Sequence, residues 1–236
     1  MKIGIMQPYL FPYIGYFSLI RATDIWVVFD GVQFIRHGWI ERNRVLNSNN
    51  GWQYIKVPLV KTSRKNLIKD TYIRSDENWE SKILAQLTCY KKKAPYYKQV
   101  IQLLEQVFDE KKSNITSLNV LALKKVCKYI GISFNYNIYS ETKMNLSDQI
   151  KVPGDWALQI SKYYNAKVYI NPYGGIDIFN KEIYRKEEID IKFLKNDLKS
   201  YDQKRSYFEP GLSIIDVLMF NAPEEALNLI ESYKFC

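Results

Sequence analysis

The chain has 236 residues, 34 basic against 25 acidic side chains, one histidine and a formal net charge of +9 at pH 7. That length suffices to bury a sizeable core, and a composition 47% hydrophobic and 25% charged is that of a globular protein. No apolar run approaches the ~20 residues needed to span a bilayer, which argues against membrane insertion.

Ile3 to Met6 is a short apolar run that passes into a Pro- and aromatic-rich turn, Gln7 to Tyr13. A helix starting near Ile14 and a second apolar run, Ile25 to Phe29, complete a βαβ unit, the seed of a parallel sheet. Trp52 to Val57 reads as a strand after the turn Asn47 to Gly51, Lys61 to Asn66 as a polar loop and Leu67 to Ile73 as another strand. Three amphipathic helices follow, marked by Trp79 to Tyr90, Val100 to Phe108 and Leu118 to Ile130, the last capped by Gly131. Ser133 to Tyr139 reads as a strand, and a helix from Pro153 or Gly154 runs to about Tyr164. Val168 to Ile170 and Ile189 to Leu194 are further strands, and Leu212 to Phe220 and Pro223 to Tyr233 are C-terminal helices. The organisation expected is one α/β domain, 1–236, with a helical insertion around 77–131.

Charge and cysteine usage narrow the partners. Lys91-Lys92-Lys93 and Lys111-Lys112 are short patches, so a solvated surface is favoured over a polyanion-binding arm, and DNA is not an expected partner. Cys89, Cys127 and Cys236 have no disulfide or zinc spacing, and no metal site is expected. Residues 1–30 read as no signal peptide, since prolines break the apolar run and Asp24 and Asp30 follow it, so a cytoplasmic location is expected.

In parallel sheets ligands sit outside the carboxyl ends of the strands, and here those ends carry Gln7-Pro8-Tyr9 and Asp30-Gly31-Val32-Gln33. Gln7 can bind a ligand through its amide or close the turn, and Tyr9, Tyr13 and Tyr16 can stack on a base or sugar. Asp30 can act as a general base or as a turn residue, and His37 as a general base or a surface histidine. Arg42 and Arg44 alternate as on a strand and point to one face, which suits a diphosphate. Asn171, Gly174 and Gly175 form a turn whose backbone amides can approach an anion, without the spacing of a dinucleotide fingerprint. Asp216, inside an apolar helix, is expected to be paired.

Gln7-Pro8-Tyr9-Leu10, Gly15-Tyr16-Phe17, Phe29-Asp30-Gly31-Val32-Gln33-Phe34 and Trp39 with Arg42-Asn43-Arg44 together resemble the WbqC-like family. The likeness continues through Ala94-Pro95-Tyr96, Tyr169-Ile170, Gly174-Gly175, Tyr201 with Gln203, and Leu212-Ser213-Ile214-Ile215-Asp216, covering essentially the whole chain. It implies a bacterial protein of O-antigen or other surface-polysaccharide synthesis. Some members are described as glycine transferases, which implies acylation of an amino sugar.

A second, partial resemblance is to HIGH-motif nucleotidyltransferases, pantothenate synthetase in particular. Tyr13-Ile14-Gly15-Tyr16 stands where those enzymes have H-x-G-H, and Val32-Gln33-Phe34 is similar to their second strand ending. Tyrosines carry no positive charge at neutral pH, so the layout suits a nucleotide-like ligand and argues against adenylation. The fold expected is a parallel-sheet, Rossmann-like α/β core of the HIGH class, with a helical layer and C-terminal helices.

The function expected is transfer of a small acyl or aminoacyl group, glycyl among the candidates, to a nucleotide-linked amino sugar. Asp30 and His37 are the candidate catalytic residues. Gln7, Tyr9, Tyr13, Gly15, Tyr16, Gln33, Trp39, Arg42, Asn43, Arg44, Asn171, Gly174, Gly175, Tyr201 and Gln203 are the candidate substrate-binding residues. ATP or an aminoacyl donor, including an aminoacyl-tRNA, is the candidate co-reactant. The alternatives are a nucleotidyl- or adenylate-forming enzyme and a non-catalytic nucleotide-sugar binding or scaffold protein of the same pathway.

Overall fold

Lys2–Met6 (β1) and Ile25–Val28 (β2) are adjacent parallel strands joined by the helix Ile14–Ala22 (α1). This is the expected βαβ unit, seen in a computed structural model that describes residues 1–63 and 65–236. Arg42–Leu46 (β3) and Trp52–Lys56 (β4) then form a separate antiparallel hairpin. The helices Trp79–Gln86 (α2), Tyr97–Phe108 (α3) and Ile115–Tyr129 (α4) follow. Asn78 and Asn114 cap the first and last of them by accepting first-turn N–H bonds. Gly131, at φ +74°, ends α4 as its sequence position predicts.

The second half runs Tyr136–Ile138 (β5), Pro153–Tyr163 (α5), Val168–Pro172 (β6), Lys181–Lys186 (α6) and Asp190–Asn196 (β7). It closes with Ile214–Phe220 (α7), Pro223–Ile230 (α8) and Tyr233–Phe235 (β8).

Six strands make one sheet in the order β5-β2-β1-β6-β7-β8, and only the β7–β8 pair is antiparallel. Numbered along the chain within this sheet, the order is 3-2-1-4-5-6. The chain moves outward from β1 in one direction and then restarts beside β1 in the other. Loops leaving the carboxyl ends of β1 and β6 therefore diverge and leave a crevice between them.

Strand alternation supplies two cores. Trp26, Val28, Ile170 and Leu194 join one with α1, α3, α4, α7 and α8. Ile3, Ile5, Val27, Tyr169, Ile191 and Phe193 join the other with α5 and α6. The helices α2 to α4 lie between β4 and β5 in sequence and share the first core with the sheet.

Two expectations are corrected, and one element is new. Leu67 to Ile73 is no strand: Ile68–Asp70 is a 3-10 turn, because Asn66 Nδ2 donates to the Asp70 carbonyl and Thr71 Oγ1 to the Leu67 carbonyl. The last helix stops at Ile230, and Tyr233 turns instead to pair with Asn196. The short helix α6 carries too weak a period to be read in advance. The polar loop Lys61 to Asn66 includes Arg64, which lies outside the described residues. Among the described residues, no helix is long and apolar enough to cross a membrane, and the three cysteines are free.

Candidate functional site

A cavity of about 560 Å³ opens at the crevice between β1 and β6. Met6 and Pro172 lie at its strand ends, Tyr9, Pro12 and Tyr13 form one wall, and Trp39, Asn43 and Arg44 another. Gly174, Leu198 and Gly211 complete the lining.

The wall that carries Tyr9 and Tyr13 is the loop Gln7 to Tyr13, whose prolines lack N–H groups and cannot close it from within. Other elements hold its carbonyls. Tyr16 Oη donates to the Gln7 carbonyl at 2.9 Å, and Asn119 Nδ2 on α4 donates to the Pro8 and Ile40 carbonyls at 2.9 Å each. Asn43 Nδ2 on β3 donates to both the Leu10 and Phe11 carbonyls at 2.9 Å. Ser213 Oγ donates to the Phe11 carbonyl at 2.6 Å, and the Ile214 N–H to the Pro12 carbonyl at 2.9 Å. A loop tied to α1, β3, α4 and α7 presents its tyrosines in a fixed pose.

Burial raises the phenol pKa of both Tyr9 and Tyr13, with the neighbouring Tyr13 adding to the effect at Tyr9. Both are therefore neutral hydrogen-bonding groups at physiological pH. Tyr13 lies across the start of α1 because Gly15 has no side chain: a Cβ there would stand 2.5 Å from the Tyr13 ring. Gly15 thus shapes the wall rather than touching the cavity. Tyr16 is buried against Tyr9 and Trp26, with ring centroids 5.6 and 5.0 Å away, and backs the wall from the core.

Arg44 supplies the positive charge of the lining. Its guanidinium lies between Trp39 and Trp52, 5.5 and 5.2 Å from their rings, and Nη2 donates to the Gly211 carbonyl at 3.1 Å. Its Nε is buried with no hydrogen-bond partner among the described residues. Arg42 lies over Tyr54 at 4.0 Å, so both arginines sit on the face of the hairpin that carries the β4 aromatics, as their spacing predicts. Yet Arg42 Nη2 donates to the His37 carbonyl, and Arg42 does not line the cavity.

The remaining candidates lie outside this lining. Asp30 is 1% exposed, and its carboxylate accepts from the Ser140 N–H at 3.0 Å and Ser140 Oγ at 2.7 Å. Burial raises its pKa, and the Ser140 bonds oppose that rise. Asp30 thereby clamps the end of β2 to the end of β5. His37, at φ +61° with its side chain 71% exposed, borders a different groove together with Arg36. Its N–H donates to Glu41 Oε1 at 2.9 Å. Gln33 forms a bridge with Leu67.

Asn171 accepts from Tyr169 Oη at 2.8 Å and donates to the Pro172 carbonyl at 2.9 Å. Gly175 leaves room for that amide, since a Cβ would stand 2.3 Å from Asn171 Nδ2. Tyr201 Oη and Gln203 Nε2 donate to Asp216 at 2.5 and 2.8 Å, and Tyr90 Oη does so at 2.7 Å. Asp216 is thus paired as expected, with these three donors in place of a buried arginine. Gln7 is half-buried, and its side-chain amide has no hydrogen bond among the described residues.

The structure therefore gathers Tyr9, Tyr13, Trp39, Asn43, Arg44 and Gly174 at one cavity. The candidate catalytic pair, Asp30 and His37, does not join them, nor do Gln33, Arg42, Asn171, Gly175, Tyr201 and Gln203. Asn119 and Ser213 were not singled out as supports of the loop. A buried asparagine inside the apolar run Leu118 to Leu121 was the available signal for the first.

The WbqC-like protein family matches residues 7–227, a span that includes every residue of this lining except Met6. The chain belongs to the WbqC-like protein family. It is 26% identical over 228 residues to the uncharacterized protein Rv1507c of Mycobacterium tuberculosis (strain ATCC 25618 / H37Rv), covering 95% of each chain. No solved structure matches it.

Proposed function

We propose that the chain is an enzyme of bacterial surface-polysaccharide (O-antigen) precursor synthesis that binds a nucleotide-linked amino sugar in the β1–β6 cavity. There a small acyl or aminoacyl group, glycyl as first choice, passes from an ATP-activated or tRNA-linked donor to the sugar amine, an amide forming as the donor's phosphate or hydroxyl carrier leaves and the amine loses a proton. Family membership supports the pathway. The observation that carries the ligand class is Arg44, a cation held between two indoles in the wall of a cavity that Tyr9, Tyr13 and Trp39 also line. A guanidinium suits phosphate oxygens, and aromatic walls suit a base or sugar ring. The volume of about 560 Å³ lies within the ~300–1,000 Å³ usual for ligand pockets. The 3-2-1-4-5-6 order supports a Rossmann-like core, in which nucleotides sit at this point of the sheet.

The Tyr9 and Tyr13 hydroxyls would donate to the oxygen that gains charge as an amine attacks an acyl carbon. Attack also needs a proton acceptor, and the described lining has no carboxylate, imidazole or thiol. That observation favours one second reading, a non-catalytic nucleotide-sugar binding or scaffold protein of the same pathway. Adenylate formation is disfavoured, because Tyr16 is committed to the Gln7 carbonyl and Tyr13 is uncharged.

Calorimetric titration with a panel of nucleotide-linked amino sugars, followed by mass spectrometry after adding glycine with ATP or glycyl-tRNA, separates these readings. Binding with a product heavier by one glycyl group is the expected result. Binding without a product under any donor selects the scaffold. Binding by no nucleotide sugar ends both.

A further inference from the structure

A second cavity, of about 260 Å³, lies beyond the other end of β3. Leu46 and Phe220 give it apolar walls, and Ser48 and Thr88 contribute hydroxyls. Lys91, Lys92, Lys93 and Arg205 all border it, brought together from two segments more than a hundred residues apart. In the sequence the lysines form only a short patch of the kind found on solvated surfaces. The fold sets them around a concavity with an arginine that sequence distance hides.

None of these four cations belongs to an ion pair among the described residues. Arg205 donates to the carbonyls of Asn47 and Gly51, which orders the guanidinium without neutralising it. Asp216 lies behind the cavity, fully buried, and its oxygens are taken by Tyr90, Tyr201 and Gln203. Cys89 lines the cavity, and its Sγ donates to the Leu46 carbonyl at 3.4 Å. Burial pushes its thiol pKa up, with the buried Asp216 adding to the rise, whereas Arg205 and Lys93 pull it down.

Like charges without ion-pair partners around one concavity concentrate positive potential there, which the single buried carboxylate of Asp216 offsets in part, and an anion entering it relieves their mutual repulsion. Charge-assisted bonds from ammonium and guanidinium groups to phosphate oxygens are among the strongest available. The space is below the ~300–1,000 Å³ of ordinary small-molecule pockets, which suits a phosphate group better than a whole nucleotide sugar. We infer that this cavity, formed by Lys91–Lys93, Arg205, Thr88 and Ser48, is a binding site for a phosphomonoester or pyrophosphate group of a small molecule. It is separate from the β1–β6 cavity and shares with it only β3 and the segment 203–211. Cys89, a protonated thiol, is the built-in reporter.

The test follows peptide-resolved alkylation of Cys89 by iodoacetamide, with exposed Cys236 as the internal control. Pyrophosphate and glucose 1-phosphate are added separately, each against potassium chloride at equal ionic strength. The expected result is severalfold slower labelling of Cys89 alone with at least one of them. Pyrophosphate alone marks a polyphosphate ligand, and glucose 1-phosphate a phosphomonoester. The protection should vanish in Lys91→Gln/Lys93→Gln, whose melting temperature without ligand should match the wild type, and persist in Arg44→Ala. Protection that survives the lysine changes, or is lost in Arg44→Ala, overturns the assignment. So does equal slowing by potassium chloride. Protection by tRNA and by neither small phosphate would assign the cavity to a nucleic-acid backbone and overturn it as well.

Discussion

Asn43 Nδ2 lies 2.9 Å from the carbonyl oxygen of Phe11, a residue held at φ +39°. A non-glycine residue in that region costs roughly 1–3 kcal/mol and persists only where surrounding bonds over-determine it. Asn43 supplies such bonds, and through them the position of the loop that carries Tyr9 and Tyr13. Asn43→Ala leaves the Leu10 carbonyl without its donor and should cost about 1–3 kcal/mol. Urea denaturation should show the loss, and nucleotide-sugar affinity should fall with it. An unchanged midpoint would remove Asn43 from this role.

Gly15→Ala separates shape from stability. The added methyl favours the helix by about 1 kcal/mol, yet its carbon would stand 2.5 Å from the Tyr13 ring and must displace it. The expected outcome is a melting temperature near that of the wild type with ligand affinity reduced as in Tyr13→Ala. Wild-type affinity in the Gly15 variant would mean that Tyr13 does not form the binding wall.

The two arginines of β3 should behave differently, although the sequence pairs them. Arg44→Ala removes the cation of the cavity and should weaken nucleotide-sugar binding by about 1–3 kcal/mol, the worth of a charge-assisted bond. Arg42→Ala should change affinity much less, because its guanidinium is turned to Tyr54 and the His37 carbonyl. Calorimetry on both variants decides it, and equal losses would restore a two-arginine grip.

Asp216 gives a pH signature. Burial raises its carboxyl pKa, and the bonds from Tyr201, Tyr90 and Gln203 oppose that rise. The folded state therefore binds this proton more tightly than the unfolded chain, whose aspartates titrate near about 3.9. Stability linked to the group is greatest below that value and declines as pH rises through the elevated folded pKa. Against Asp216→Asn, the wild type should lose unfolding free energy across this window. Denaturation profiles that run parallel at every pH would contradict it.

Asp30 should prove to be a clamp in the first instance. Asp30→Ala leaves the Ser140 N–H and hydroxyl without their acceptor and should cost about 1–3 kcal/mol. Asp30→Asn, which keeps an acceptor for the N–H, should retain more stability and near wild-type nucleotide-sugar affinity. A large affinity loss in that variant, with stability intact, would bring Asp30 to the ligand.

The sequence by itself determined the periodic elements: the βαβ start, the three amphipathic helices and the strands near 136, 168 and 190 all follow from patterns of apolar residues. It also determined the family, through short groups of residues spread from Gln7 to Asp216. Side-chain direction within one strand was legible too, since alternation alone sets Arg42 and Arg44 on one face. Tertiary structure decided which of those residues meet. Asp30 follows an apolar strand, as a site residue at a strand end would, but the pairing of β2 with β5 brings Ser140 to it and consumes both oxygens. Tyr201 and Gln203 were drawn to Asp216 across the irregular segment between them, and Lys91–Lys93 and Arg205 were set around one cavity by the packing of distant segments. Such contacts leave no local period. The residues that hold the Gln7 to Tyr13 loop come from four other elements for the same reason: a proline-rich turn must find its hydrogen bonds elsewhere, and only the packed fold determines where.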